Sequence, residues 1–347
     1  MSTQQETGIE FSLVPEENQQ HFRLLELPPE LLSVITADNA SPLQLKSLDA
    51  PPSSLSGPNV VLCTHDKTYN LRQVSTSNSV FVVQPTIPTD STLSTPGIEA
   101  IAQCTSTLEL LTEKTNVSAT SLVKAALPTY TSTGIPATGT RIAKQHLFSN
   151  IPLSEAECEL AWRDLACFEH EGAAMVPSDS VRLQVWRAIL TTATAEGVDL
   201  TDTLDDRQVR ALTENDAEWP GELADAVLRS AGQGDGGSLL LLDGHKLALS
   251  VGLVLLKERT ANGRNAVALD RFEKEWADLM PEAWREKATI ERLEGSFGRE
   301  KAGKDITFVD TGGSQATTVD GGAPADAKTL GAKRKWHEKF KASKKTA

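Results

Sequence analysis

The sequence predicts an α+β protein: an N-terminal β-barrel portion that needs partner chains to complete it, followed by tandem helical units of the helix-turn-helix or winged-helix kind. Three observations carry this. Apolar residues crowd into short β-like runs between Val60 and Leu111. After Ser154 the apolar period changes from two residues to about 3.6. The helical segments beyond that point are short and separated by brief apolar runs such as Ser238 to Leu242 and Ile306 to Val309, which suits compact units better than a long bundle.

Leu27 to Ile35 opens the organised chain as a short helix, with prolines in its first turn and Leu31, Leu32 and Ile35 on one face. A Pro/Ser-rich loop leads to three β-like runs, Val60 to Thr64, Thr68 to Val74 and Ser79 to Val83. His65 to Lys67 and Ser75 to Asn78 carry the polar residues of turns between them. Gln84 to Gly97 reads as a linker, Ile98 to Leu111 as a strand or strand pair, and Pro128 to Thr140 as another connection. So few strands cannot close a barrel, and an apolar sheet with open edges is a liability unless another chain completes it.

Ser154 and Glu157 form a capping-box pattern ahead of Cys158, Trp162 and Leu165. Val181, Val185 and Ile189 repeat at helical spacing, as do Trp219, Leu223 and Val227. Leu247, Val251, Val254 and Leu255 follow an Asp243 cap, and Leu269, Phe272, Trp276 and Leu279 stripe a helix that Pro281 ends. Helical spacing already explains Trp162, Trp186, Trp219 and Trp276 as core residues. The expected division is residues 1–145 for the partner-dependent β portion, 146–310 for the helical units, 311–332 for a flexible linker and 333–347 for a basic tail.

At 347 residues, 39% hydrophobic and 23% charged, the chain has the composition of a globular protein of two or three domains. No run approaches the roughly 20 apolar residues of a membrane span, and Met1 to Glu17 is acidic and polar, so an intracellular chain without a membrane partner is expected. Cys63, Cys104, Cys158 and Cys167 form no CxxC pair and read as buried reduced thiols. Net charge is −13, yet the stretch from Gly331 carries seven Lys or Arg against Glu338, leaving −19 for everything before it.

Several motifs resemble catalytic signatures and fail on context. Gly298 to Lys304 fits the glycine and lysine positions of a phosphate loop, but Asp305 stands where the magnesium-binding hydroxyl belongs. Gly232, Gly234 and Gly237 fit GxGxxG but follow a helical stripe, the reverse of the strand-then-helix order that nucleotide binding needs. Asp310-Thr311-Gly312 matches an aspartic-protease triplet in a single copy, so that chemistry would require a homodimer. None of the six histidines has metal-ligand spacing. No enzyme, cofactor or metal is expected. The tail, in contrast, interleaves Lys333, Arg334, Lys335, Lys339, Lys341, Lys344 and Lys345 with Trp336 and Phe340. Cations for phosphate and aromatic faces for bases make Lys333, Arg334, Lys335, Trp336, Lys339, Lys341, Lys344 and Lys345 the expected DNA-binding residues, with nuclear import the competing use. If all seven cations engage duplex phosphates, log affinity falls against log salt with a slope of about −6.

Five segments in order resemble one family. They are HDKTYNLRQVSTSNSVFVV around Asp66 to Val83, STLEL at Ser106 to Leu110, LSEAECELAWRDLACFEHEG, LDGHKLALSVGLVLL, and FEKEWADLMPEAW with Leu293 to Gly295. Together they resemble the defective in sister chromatid cohesion protein 1 family, whose final winged-helix unit continues well past an element like Arg334-Lys335-Trp336, whereas this chain ends eleven residues beyond it.

The resemblance implies a non-catalytic subunit of an alternative, replication factor C-like clamp loader. Its N-terminal strands would join a small subunit and the C-terminal tail of the large ATPase subunit in a composite β-barrel. That module would dock on the catalytic subunit of DNA polymerase epsilon in the nucleus, while winged helices touch DNA, so that PCNA is loaded at the leading strand and cohesion is supported. ATP hydrolysis would belong to the other subunits. Val60, Leu62, Tyr69, Leu71, Phe81 and Val83, on the apolar runs, are the expected partner-interface residues, against the competing reading of an internal core. The alternative function is an autonomous winged-helix DNA-binding factor, which the acidic body disfavours.

Overall fold

The computed structural model describes residues 9, 11–38, 40–47, 60–86, 97–111, 118–133, 141–214, 219–233, 239–300 and 303–310. Three short strands and a helix come first: β1 Phe11–Leu13, β2 Leu24–Glu26, α1 Pro29–Ile35 and β3 Gln44–Ser47. β4 Val60–Cys63, β5 Thr68–Thr86 and β6 Gly97–Leu111 then build a six-stranded sheet in the order β1-β6-β5-β4-β3, with β2 also beside β6. The sheet is a curled half-barrel.

Two expectations change here. Ser75 to Asn78 is not a turn, because the residues on either side of it pair with the same neighbour, β6. Ser75 lies opposite Ser106 and Val80 opposite Cys104, so three extra residues are accommodated as a bulge in one strand. A polar TSN stretch reads as a reversal, but reversal requires its flanks to pair with each other, and β6 takes both. Ile98 to Leu111 is likewise one long strand, not a pair. β5 and β6 also extend into both ends of the segment read as a linker, to Thr86 and from Gly97.

From Ala119 one order of elements, helix, strand, helix, helix, strand, strand, occurs twice, and a third time with two 3-10 segments in place of the third helix. The first set is α2 Ala119–Ala126, β7 Thr129–Tyr130, α3 Lys144–Asn150, α4 Glu155–Asp164, β8 Phe168–His170 and β9 Ala173–Pro177. The second is α5 Asp179–Glu196, β10 Thr203–Leu204, α6 Asp206–Thr213, α7 Gly221–Ser230, β11 Gly232–Gln233 and β12 Leu240–Leu242. The third is α8 Gly244–Arg259, β13 Val267–Ala268, α9 Leu269–Asp278, two 3-10 segments at Glu282–Lys287 and Ile290–Leu293, then β14 Phe297–Glu300 and β15 Asp305–Phe308. In every set the last strand lies between the other two. Residues 145 and 146 lie within α3.

Local chemistry explains the helix starts. The Ser154 hydroxyl accepts the Glu157 N–H at 3.3 Å while the Glu157 carboxylate accepts the Ser154 N–H at 3.2 Å, completing the capping box. Asp243 accepts the N–H groups of His245 and Lys246, and α5 ends on Gly197 in the left-handed region. The apolar stripes pack as read: Val181, Val185, Ile189, Leu223, Val227, Leu247 and Leu255 share one core with Phe272 and Trp276. Trp186 donates to Leu279 O at 2.8 Å and Trp276 to Ala248 O at 3.1 Å, so both indoles are satisfied inside that core.

The four cysteines are buried and free. Burial raises Cys63, and pushes Cys158 up to about 11 and Cys167 up to about 12. Unfolded thiols ionise near 8.5 while these stay protonated, so the native state binds more protons above that pH and its stability falls as pH rises. The urea midpoint is therefore expected to drop progressively from about pH 8.5 upward. Iodoacetamide at pH 8 should label no thiol of the native chain and all four in denaturant.

A candidate partner interface on the N-terminal sheet

The N-terminal sheet buries little against itself. Its core cluster holds Leu31, Leu62 and Tyr69, with Leu27, Leu43 and Leu110 packed alongside. Of the sixteen large apolar side chains exposed among the described residues, eleven precede residue 112. Ile9, Phe11 and Leu13 are 72%, 53% and 51% exposed. The rings of Phe11 and Phe81 meet edge-on at 6.1 Å, forming a half-exposed aromatic pair.

Strand pairing leaves an open edge in the same place. β6 covers one side of β5 along most of its length, whereas β4 covers the other side only over Thr68, Tyr69 and Asn70. Along Ser79–Thr86 no described strand pairs with that second side. A run of backbone donors and acceptors with no partner strand among the described residues, beside exposed Val80, Phe81 and Val83, is a template for an added strand.

The expected interface residues separate by position. Leu62 and Tyr69 are 5% and 2% exposed and lie inside the chain's own core. Val60 and Leu71 are half-buried, and Phe81 and Val83 are exposed on the open stretch of β5. The expected DNA-binding residues, Lys333, Arg334, Lys335, Trp336, Lys339, Lys341, Lys344 and Lys345, lie outside the described residues, as does the 311–332 linker. Gly298 to Glu300 belong to the β14–β15 hairpin, and Lys304 leads directly into strand β15 where a phosphate loop requires a helix. Gly232 sits in β11, while Gly234 and Gly237 lie outside the described residues. Asp310 lies two residues past the end of β15, after Val309; Thr311 and Gly312 lie outside the described residues. No cluster of His, Cys, Asp and Glu suited to a metal ion occurs among the described residues.

Sequence reasoning missed β1 and β2, read β3 Gln44–Ser47 as part of the Pro/Ser-rich loop, and missed the junction between the sheet and the first helical set. The alternation Ile9, Phe11, Leu13 was the available signal for β1. At the junction, buried Lys46 of β3 donates to Phe148 O and Leu153 O at 2.8 and 2.7 Å, and Thr68 of β5 donates to Glu157 at 2.5 Å while accepting the Ser154 N–H at 2.7 Å. His65 adds a contact with Glu155 at 3.2 Å, and its carbonyl accepts the Ala156 N–H. Replacing Lys46 with Met would strand two buried carbonyls, so a loss of about 2 kcal/mol is expected in urea unfolding. A Lys46→Met variant as stable as the parent would show that the sheet is not fastened there.

Fold and interface define a class: a mixed α+β protein with an open, apolar-edged sheet fastened to three helical sets of one topology. The family model for sister chromatid cohesion protein Dcc1 matches residues 22–311. The chain belongs to the Dcc1 family of sister chromatid cohesion proteins. It is 27% identical over 195 residues to the sister chromatid cohesion protein DCC1 of Saccharomyces cerevisiae, a match covering 52% of this chain and 50% of the yeast protein. The aligned region thus spans half the length of that relative.

Proposed function

We propose that this protein is a nuclear, non-catalytic subunit of an alternative replication factor C-like clamp loader, linking PCNA loading to DNA polymerase epsilon and to sister chromatid cohesion. In this reading the N-terminal half-barrel is completed by strands of the small subunit and of the large ATPase subunit's C-terminal tail. The observation that carries it is the open side of β5 along Ser79–Thr86, flanked by exposed Val80, Phe81 and Val83. Membership of the cohesion family supplies the biological setting.

The three helical sets are read as winged helices, on the strength of their repeated order and the central position of the last strand in each sheet. The 333–347 tail would add a cationic contact to DNA, with PCNA reached only through the ATPase subunits. Co-expression of the full chain with the small subunit and the large subunit's C-terminal tail, followed by size-exclusion chromatography, tests the reading. One three-chain species is expected. Elution of this chain alone, as a well-behaved monomer in the presence of both, would refute it.

A further inference from the structure

On the helical part of the molecule, an open groove of about 1470 Å³ lies between α4 and the α6–α7 pair. That exceeds the roughly 300–1,000 Å³ of small-ligand pockets and suits a polypeptide segment. Trp162, Phe168, Val209 and Leu240 give it apolar lining. Leu160 and Leu239 also line it while remaining 51% and 64% exposed, which leaves apolar surface open to a partner.

The charges are unbalanced. Seven carboxylates line the groove against Lys144, Arg163, Arg210, Arg229 and His65. Lys144 is engaged by Glu159 at 2.7 Å and Arg229 by Asp225 at 2.8 Å. Glu169, Asp206 and Glu214 are exposed, and their carboxylates make no ion pair among the described residues. Such a surface repels phosphate and attracts a cation-bearing partner.

We infer that this groove is a docking site for a cationic amphipathic helix of a partner protein, with leucine-like anchors on the apolar lining and Lys or Arg facing Glu169, Asp206 and Glu214. Helical walls with an apolar floor and a charged rim are the arrangement by which grooves receive amphipathic helices. The site shares no residue with the open stretch of β5, so it stands whether or not the clamp-loader reading holds.

The test uses the full chain and a fluorescein-labelled Leu/Lys peptide that forms an amphipathic cationic helix, compared with a scrambled peptide of the same composition. The helical peptide should bind at least about tenfold tighter than the scrambled one. Glu169→Lys combined with Glu214→Lys should weaken it at least about tenfold, and Leu160→Ser about threefold or more. Glu196→Lys combined with Asp278→Lys makes the same change in net charge outside the groove, at exposed positions. It should leave binding within about twofold. Equal affinity for the scrambled peptide, an unaltered affinity after the groove reversals, or an equal loss in the control pair would each overturn the assignment. Circular dichroism and the urea midpoint of every variant separate a lost site from a lost fold.

Discussion

Replacing Trp276 with Ala should lower stability by about 3–5 kcal/mol, and replacing Gly252 with Ala should lower it by about 2 kcal/mol, although alanine is the better helix former. The two residues form one contact. Trp276 is 0% exposed, and a Cβ built on Gly252 of α8 would stand 2.3 Å from the Trp276 ring. Glycine within a helix costs about 1 kcal/mol relative to alanine. At this position that cost is offset by the close approach of the indole, whose N–H reaches the Ala248 carbonyl of the same helix. The decisive observation is therefore the double variant. Once Trp276 is removed, Gly252→Ala should change from destabilising to neutral or stabilising by up to about 1 kcal/mol, a coupling that two independent lesions would not show. Urea unfolding of all three variants, followed by the helical circular dichroism signal, reads this directly. Strictly additive losses would mean that the indole and the glycine do not constrain each other.

That contact illustrates what the sequence made legible. Trp276 on its stripe was readable as core, because Leu269, Phe272 and Trp276 repeat at helical spacing and Pro281 marks the end. Its partner glycine was not, because nothing in LSVGLVLL says which neighbour approaches. Long helices with strong caps, α5 and α8, were visible for the same reason that they are stable: many apolar residues share one face. α6 was missed although Asp205 and Gln208 form a capping box, since its 8 residues carry too short a stripe to stand out. Strands of 2 residues such as β7, β10, β11 and β13 have no period to detect. The bulged course of β5 depends on β6, and Lys46 meets Leu153 across 107 positions. Contacts of this range are properties of the folded chain. The apolar character of the N-terminal runs was readable; which of their residues are turned inward and which remain open was not.

Phe81→Asp combined with Val83→Asp should abolish formation of the three-chain species while leaving the isolated chain folded, its stability lowered by no more than about 1–2 kcal/mol. Both residues are exposed, at 40% and 46%, and lie outside the chain's core clusters, so charging them costs the isolated chain mainly the Phe11–Phe81 ring contact. Against an added strand, each would remove an apolar contact of about 1.5–3 kcal/mol. Burying the introduced carboxylates would add a further penalty. A combined loss of about 4 kcal/mol corresponds to about a thousandfold in affinity, enough to separate the chains during gel filtration. Leu62→Ala provides the contrast. Leu62 is 5% exposed beside Leu31 and Tyr69, so its loss should cost about 2–5 kcal/mol of folding stability and weaken assembly only through the fraction unfolded. If the Phe81/Val83 variant still elutes with both partners, the open side of β5 is not where they join, and the assembly must use another surface. If Leu62→Ala abolishes the complex while leaving the fold intact, the inward-facing residues contact the partner after all, and the half-barrel must open to receive it.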